Sequence, residues 1–208
     1  MKDESLKSRV LYAAMAEFAA KGYFGASLGE VAKRCGTSSA LVCYHFKTKE
    51  LLAKAVIDEI RATIKTPKAA KAEEIPSALA YRAALKTFID DFLVAFLTDE
   101  EPGCYVSGLY RQESAHPTAK ADSLHDTVLR PVFNEFEKLI ALGVPERDPV
   151  TVRYWALAMW NVLLGFALKD RTRVGAYMPE GMSPDVFRRT AVEFLVDDLL
   201  APLKYNPQ

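Results

Sequence analysis

Cysteine is scarce in this chain, and the few cysteines present do not form pairs. The 208 residues contain Cys35, Cys43 and Cys104, an odd number without a CxxC spacing. A disulfide framework would require an even set in a small secreted domain, and a standard zinc site would require paired ligands. The sequence therefore favours a reducing compartment, and we expect a cytoplasmic protein.

Long apolar runs and net charge are also missing. No window reaches the roughly 18 uncharged apolar residues of a membrane span, so we expect no membrane partner. Lys and Arg together number 27, as do Asp and Glu, but residues 1–54 carry nine basic against five acidic side chains. This excess of +4, balanced by −4 in the remainder, favours a partner that carries phosphates.

Apolar residues, by contrast, make up half of the chain. This fraction is enough to bury a core in one large or two small domains. The apolar residues recur at helical rather than alternating spacing, as at Val10, Ala14 and Phe18 in the first run. We therefore predict an all-α protein.

Glycines and capping side chains divide the first third of the chain into four short helices. Gly22 is a typical left-handed stop, and Ser27 with Glu30 forms a capping box at the start of the second helix. Ser38 or Ser39 is the predicted cap of the third helix, and Thr48 starts the fourth. The predicted helices cover residues 5–21, 27–36, 38–46 and 48–65.

A segment rich in Lys, Ala, Glu and Pro between residues 65 and 76 predicts a solvated connection. Long amphipathic runs follow it and predict a helical bundle, with a kink at Pro131. The sequence contains no internal repeat and no low-complexity tract. The predicted helices of the bundle cover residues 77–98, 105–114, 121–142, 149–171 and 183–203.

The segment GTSSALVCYHFKTKELL, residues 36–52, contains the side chains that carry chemistry in the N-terminal part. Two short helices joined by a turn with glycine, and a further helix behind them, form a helix-turn-helix, whose second helix enters the major groove of DNA. Hydroxyl, phenol, imidazole and ammonium groups suit phosphate oxygens. The polar side chains predicted to face outward are Ser38, Ser39, Tyr44, His45 and Lys49.

The longer run SLGEVAKRCGTSSALVCYHFKTKELL resembles the N-terminal signature of the TetR family of transcriptional regulators. That signature is roughly Thr-hydrophobic-x-x-Ile-Ala, then Gly-Val-Ser, an aromatic pair, His-Phe and Lys-x-Lys-Glu-x-Leu. The resemblance implies a three-helix DNA-binding head at residues 1–48 and a larger helical body for ligand binding and dimerisation at 49–208, with a linking helix at 49–65. It also implies a regulator with no enzymatic activity and no cofactor.

The resemblance assigns DNA contacts position by position. Ser27 stands where the family has a phosphate-contacting threonine, Leu41 stands where a threonine often contacts a base, and Cys43 replaces the first aromatic of the pair. Because the helix has few long polar side chains, specificity is expected to rest on thymine methyl contacts from Ala40 and on DNA shape. The expected DNA contacts are Ser27, Ser38, Ser39, Ala40, Leu41, Tyr44, His45 and Lys49.

An effector pocket is predicted in the body. Residues 104–133 resemble a ligand-responsive TetR subgroup, and an apolar pocket with Arg111, Glu113 or His116 as its polar group would suit a lipophilic or drug-like effector. The alternative for each aromatic is simple core packing. The candidate effector-binding residues are Phe88, Phe92, Phe96, Tyr110, Arg111, Trp155 and Met159.

The last two long runs, 149–171 and 183–203, are more apolar than a small body can bury alone. They predict half of a four-helix homodimer interface, which the family resemblance also implies. A dimer on a palindromic operator blocks polymerase sterically. We therefore expect a repressor that a small-molecule effector releases from DNA.

Other classes of function receive less support. Acid-base side chains between Arg111 and His125 are scattered, without a nucleophile elbow, phosphate loop or metal spacing, which argues against an enzyme. A helical adaptor that binds only protein would leave the basic N-terminal part unexplained. Cys35, Cys43 and His45 lack a fourth ligand, so we expect no metal, and Cys43 is more typical of a packing residue than of a redox sensor.

Overall fold

The computed structural model describes residues 5–96, 98, 101–116, 123–167, 181–201 and 203. Within these ranges the regular secondary structure is entirely helical, with no strand. The all-α prediction is therefore confirmed. The chain divides into two compact units, residues 1–65 with 98–129 and residues 66–97 with 130–208. The functional domains expected at 1–48 and 49–208 stay a prediction.

The first unit contains the four predicted N-terminal helices and a later helix that packs on them. Gly22, at φ +72°, interrupts the first helix at the predicted position, and a further turn extends it to Gly25. The unit also contains a π-helical turn at His125–Leu129. Its helices are α1 (Leu6–Gly25), α2 (Leu28–Arg34), α3 (Ser39–Phe46), α4 (Lys49–Thr63) and, after α5 in the chain, α6 (Gly103–Ala115).

Side-chain caps explain where the short helices begin. Ser27, Ser38 and Thr48 each accept a hydrogen bond from the backbone N–H three residues further on, at 3.2, 3.3 and 3.2 Å. Each bond satisfies one of the N–H groups that a helix start leaves without a partner. These caps lie where the sequence predicts them.

Helices α1 and α6 pack at very short range. A Cβ added at Gly108 would lie 2.8 Å from the Ala19 Cβ and 2.9 Å from its backbone oxygen, so only glycine fits there without a shift. One turn further on, Gln112 Nε2 donates to the Ala20 carbonyl oxygen at 3.2 Å. The two helices therefore form a tightly joined pair.

The second unit has an aromatic core. Its helices are α5 (Ala78–Phe96), α7 (Arg130–Gly143), α8 (Pro149–Ala167) and α9 (Pro184–Glu193), which a π-helical segment, Phe194–Leu199, extends. The Phe92 ring lies 5.0 Å from the Trp160 ring, and the Phe88 ring lies 5.6 Å from Phe136, both centroid to centroid. On the surface, Arg82 and Lys86 bind the Asp197 carboxylate at 2.5 and 2.7 Å.

Two predicted helices differ from the structure at their ends. The run predicted for 121–142 is helical from Leu124, first as the π-helical turn His125–Leu129 and then as α7, so Pro131 directly follows the change from π-helical to α-helical geometry. The run predicted for 149–171 is helical as far as Ala167, and residues 168–171 lie outside the described ranges.

Candidate nucleic-acid interface

Helices α2 and α3 form the predicted helix-turn-helix. The turn depends on Gly36, whose φ of +68° is in the left-handed region that glycine adopts without strain. The Thr37 N–H bonds back to the Ala32 carbonyl at 2.9 Å, which closes the end of α2 before the Ser38 cap starts α3. The local sequence thus fixes the angle at which α3 leaves the turn.

One face of α3 is buried and the other is open. Val42 and Phe46, four residues apart, face the core of the unit. Tyr44 is 78% exposed, and its ring meets the His45 ring edge-on at 5.4 Å. Exposed side chains on a rigid scaffold are able to contact a large partner. Other exposed positions on or beside this helix include Ser27, Ser38, Ser39, Ala40, Leu41 and Cys43.

Lys49 is held by the end of α1. Its Nζ lies 4.7 Å from the Tyr23 ring centroid, a cation–π distance, and 3.5 Å from the Phe24 carbonyl oxygen. The Tyr23 hydroxyl donates to Glu50 Oε1 at 2.6 Å, and burial together with that bond raises the pKa of Tyr23 to about 12. Tyr23 is therefore protonated at neutral pH, and its hydrogen bond to Glu50 joins the start of α4 to the end of α1.

A buried carboxylate attaches α2 to α1. Glu17 is only 4% exposed, and its Oε1 accepts from Arg34 Nε at 2.9 Å. Its Oε2 lies 3.0 Å from Lys21 Nζ, and Lys21 also pairs with Glu30. The hydrogen bond from Lys21, with a further one from Arg34, holds the pKa of Glu17 below its usual value against the opposing effect of burial. Sequence analysis did not predict this network, because α-helical spacing connects only Glu17 with Lys21.

The candidate effector residues fall into two groups. Phe88, Phe92 and Phe96 come together in the buried aromatic core of the second unit. Trp155 and Met159, on α8 of the same unit, are partly exposed. Tyr110 and Arg111 lie on α6 and belong to the first unit.

The predicted polar groups for the effector have structural roles or lie at the surface. Glu113 accepts hydrogen bonds from the backbone N–H groups of Leu124 and His125, at 3.0 and 3.4 Å, and so caps the π-helical turn. His116 is exposed at the end of α6. Among the described residues, no three His, Cys, Asp or Glu side chains lie close enough to hold a metal ion.

The fold and the open face of α3 together define a helix-turn-helix protein. Residues 10–56 match the family model of bacterial regulatory proteins, tetR family. The helix-turn-helix segment is therefore similar to the N-terminal part of the TetR family of transcription regulators.

Two curated relatives are also helix-turn-helix transcriptional regulators by name. The chain is 35% identical over 97 residues to the HTH-type transcriptional regulatory protein RaaS of Mycobacterium tuberculosis, a match that covers 46% of this chain. It is 28% identical over 148 residues to the HTH-type transcriptional dual regulator CecR of Shigella flexneri, covering 68% of this chain. The matches span 44% and 66% of those relatives' own lengths.

Solved structures share the fold over almost the whole chain. A HlyIIR mutant superposes with a TM-score of 0.64 at 17% identity, covering 93% of this chain and 98% of its own. AibR, in complex with isovaleryl coenzyme A and operator DNA, superposes with a TM-score of 0.63 at 18% identity, covering 92% of this chain and 98% of its own. The putative transcriptional regulator SCO4942 from Streptomyces coelicolor superposes with a TM-score of 0.60 at 21% identity, covering 94% of this chain and 98% of its own.

Helix α8 is unusually apolar for a surface helix. Within the described ranges it alone is long and apolar enough to span a membrane. Only 28% of its apolar stretch is buried. Core helices of soluble proteins also meet this criterion, so the helix by itself is weak support for a membrane segment.

Proposed function

We propose that this protein regulates transcription in the cytoplasm by inserting α3 into the major groove of a palindromic operator, as a homodimer that a lipophilic effector releases. The observation that carries the proposal is the open face of α3. Short hydroxyl side chains lie at its start and Tyr44 and His45 near its end, on a helix whose opposite face is fixed by Val42 and Phe46. This division suits base contacts at the start and phosphate contacts near the end.

The phosphate contacts are proposed to come from side chains around both ends of the helix-turn-helix. Tyr44 and His45 are exposed, and Lys49 keeps its ammonium group between α1 and α4. Ser27 and Ser38 use one oxygen lone pair each as caps and keep a second one. Because Ala40 and Leu41 present apolar atoms, thymine methyl groups are the bases that we expect them to contact.

The dimer is proposed to form through α8 and α9 with its π-helical extension. Val150, Tyr154 and Leu157 lie exposed along one face of α8 at spacings of four and three residues, and Val186 and Phe194 are exposed further along the chain. Exposed apolar patches on a soluble protein mark interaction surfaces. Leu195, which is 3% exposed, packs inside the unit and is not part of this surface.

Effector control is proposed as a shift in population. A small molecule lowers the affinity for DNA only if it binds more tightly to a conformation whose two α3 helices no longer match successive major grooves, about 34 to 36 Å apart. The crystal structure of AibR with isovaleryl coenzyme A and operator DNA supports the idea that this fold accommodates both kinds of ligand. Repression is the expected sign.

The test is fluorescence anisotropy with labelled DNA from upstream of the protein's own gene. Wild-type protein should bind this DNA more tightly than a shuffled duplex, and Tyr44→Ala should weaken binding to both. Leu79→Ala is the matched control, because Leu79 and Tyr44 are equally exposed at 78% but Leu79 lies on α5. Absence of any DNA binding at low salt, or an equal loss in both variants, would exclude the proposal.

A further inference from the structure

A cavity of about 470 Å³ lies inside the first unit, and its lining includes none of the aromatic residues of the second unit that sequence analysis assigned to the effector. Its walls are the end of α1, the first half of α4 and the last turns of α6. This volume lies within the usual range for small-molecule sites. Most of the side chains at its surface that could contact a ligand are apolar, among them Phe18, Leu51, Ile57 and Leu109.

The charged side chains of the walls are already paired within the protein. Lys21 binds Glu17 and Glu30, and Glu50 accepts from the Tyr23 hydroxyl. The Glu113 carboxylate caps a helical turn, and Lys54 lies 3.8 Å from Asp58. Two cations and two carboxylates also balance one another, so the walls offer no excess charge to an ionic ligand.

The cavity separates the two elements that hold the recognition helix. One wall is the α1–α6 pair, in which Gly108 permits a close contact with Ala19. The opposite wall is α4, which begins only two residues after α3 ends. The contacts of Tyr23 with Glu50 and of Lys49 with Tyr23 connect these walls beside the cavity. A molecule that moved α4 away from α1 would therefore move α3 as well.

We infer that this cavity binds a neutral, lipophilic small molecule and that its occupancy changes the position of α3 relative to α1. The apolar walls and the paired charges select the ligand class, and the short connection from α4 to α3 supplies the coupling. The coupling rests on the proposed function, because it is measured as a change in DNA affinity. The binding site itself does not depend on that function.

The test uses two probes with the same aromatic framework. N-phenyl-1-naphthylamine is neutral, whereas 1-anilinonaphthalene-8-sulfonate carries a sulfonate. We expect saturable fluorescence with one neutral probe per chain and at least tenfold weaker binding of the sulfonate. Equal affinities, or no saturable binding of the neutral probe, would overturn the inference.

A filled cavity provides the structural test. Ala53 lines the cavity and Ala55, two residues further along α4, does not. Ala53→Trp should weaken the neutral probe at least tenfold, whereas Ala55→Trp should leave it unchanged. Unaltered probe binding by Ala53→Trp would place the site elsewhere. If Ala53→Trp no longer melts cooperatively, the smaller Ala53→Leu replaces it with the same expected direction.

The two proposals fail in distinguishable ways. Saturating neutral probe should weaken operator binding at least fivefold in wild type and leave Ala53→Trp unaffected. Operator binding without probe is measured separately, so a protein that binds operator but not the probe refutes only the cavity site. Probe binding that leaves operator affinity unchanged refutes the coupling, and probe binding by a protein that ignores DNA refutes only the proposed function.

Discussion

The Glu17→Gln substitution should destabilise the protein, because it removes a buried negative charge between two cations. A charge-assisted hydrogen bond contributes about 1.5–3 kcal/mol when its partners are buried. Here Arg34 and Lys21 have side chains that are about half exposed, so they regain water when the carboxylate is lost. Relief of the desolvation of Glu17 also offsets part of the loss. We expect the free energy of unfolding at pH 7 to fall by about 1–3 kcal/mol in total.

The loss should disappear in acid. The cations hold the folded-state pKa of Glu17 below its usual value of 4.5, so the unfolded chain takes up the proton first as the pH falls. The stabilisation by the carboxylate is therefore complete above the unfolded-state pKa and is lost as the pH falls through the folded-state pKa. Wild type and Glu17→Gln should differ in stability at neutral pH, and the difference should shrink as the pH falls below 4.5 and vanish once the pH lies below the folded-state pKa.

The assay is urea unfolding followed by far-ultraviolet circular dichroism. Protomer concentration is kept fixed, because dissociation of a dimer would contribute to the measured stability. With a slope of about 2 kcal/mol/M, a loss of about 2 kcal/mol moves the midpoint by about 1 M. Glu73→Gln, at an exposed carboxylate, is the control and should leave the midpoint unchanged. An unchanged midpoint for Glu17→Gln, or a loss that persists in acid, would refute the reasoning.

Three further predictions concern the proposed DNA contacts and the proposed dimer. Lys49→Ala should weaken specific and non-specific DNA binding together and reduce the slope of log affinity against log salt concentration by about one unit. Ser39→Ala should instead change the ranking of operator variants. If Lys49→Ala alters base preference and leaves the salt slope intact, the proposed placement of α3 on the DNA is wrong. Ser38→Ala should lower the free energy of unfolding by about 1 kcal/mol through loss of the α3 cap, and Ser38→Asp should retain it, in the same urea assay; equal losses would argue against the cap. Tyr154→Glu combined with Phe194→Glu should give monomers in sedimentation velocity, and a persistent dimer would place the interface elsewhere.

The local sequence was sufficient for the helix-turn-helix and its boundaries. A cap joins a side chain to an N–H three residues away, and a glycine with positive φ acts on a single residue. Ser27, Gly36 and Ser38 therefore predict the ends of α2 and α3 without knowledge of the rest of the chain. The spacing of Val42 and Phe46 likewise predicts which face of α3 is left open.

The tertiary structure decided every feature that joins distant parts of the chain. Periodicity shows that Glu113 and Phe92 lie on helices, but only packing shows that one caps a turn and the other is part of an aromatic core. The Lys49 ammonium group lies over the ring of Tyr23, which is 26 positions earlier in the chain. Gly108 lies against Ala19, which is 89 positions earlier. No spacing rule extends so far, because such contacts form only when helices that each bury an apolar face pack against one another.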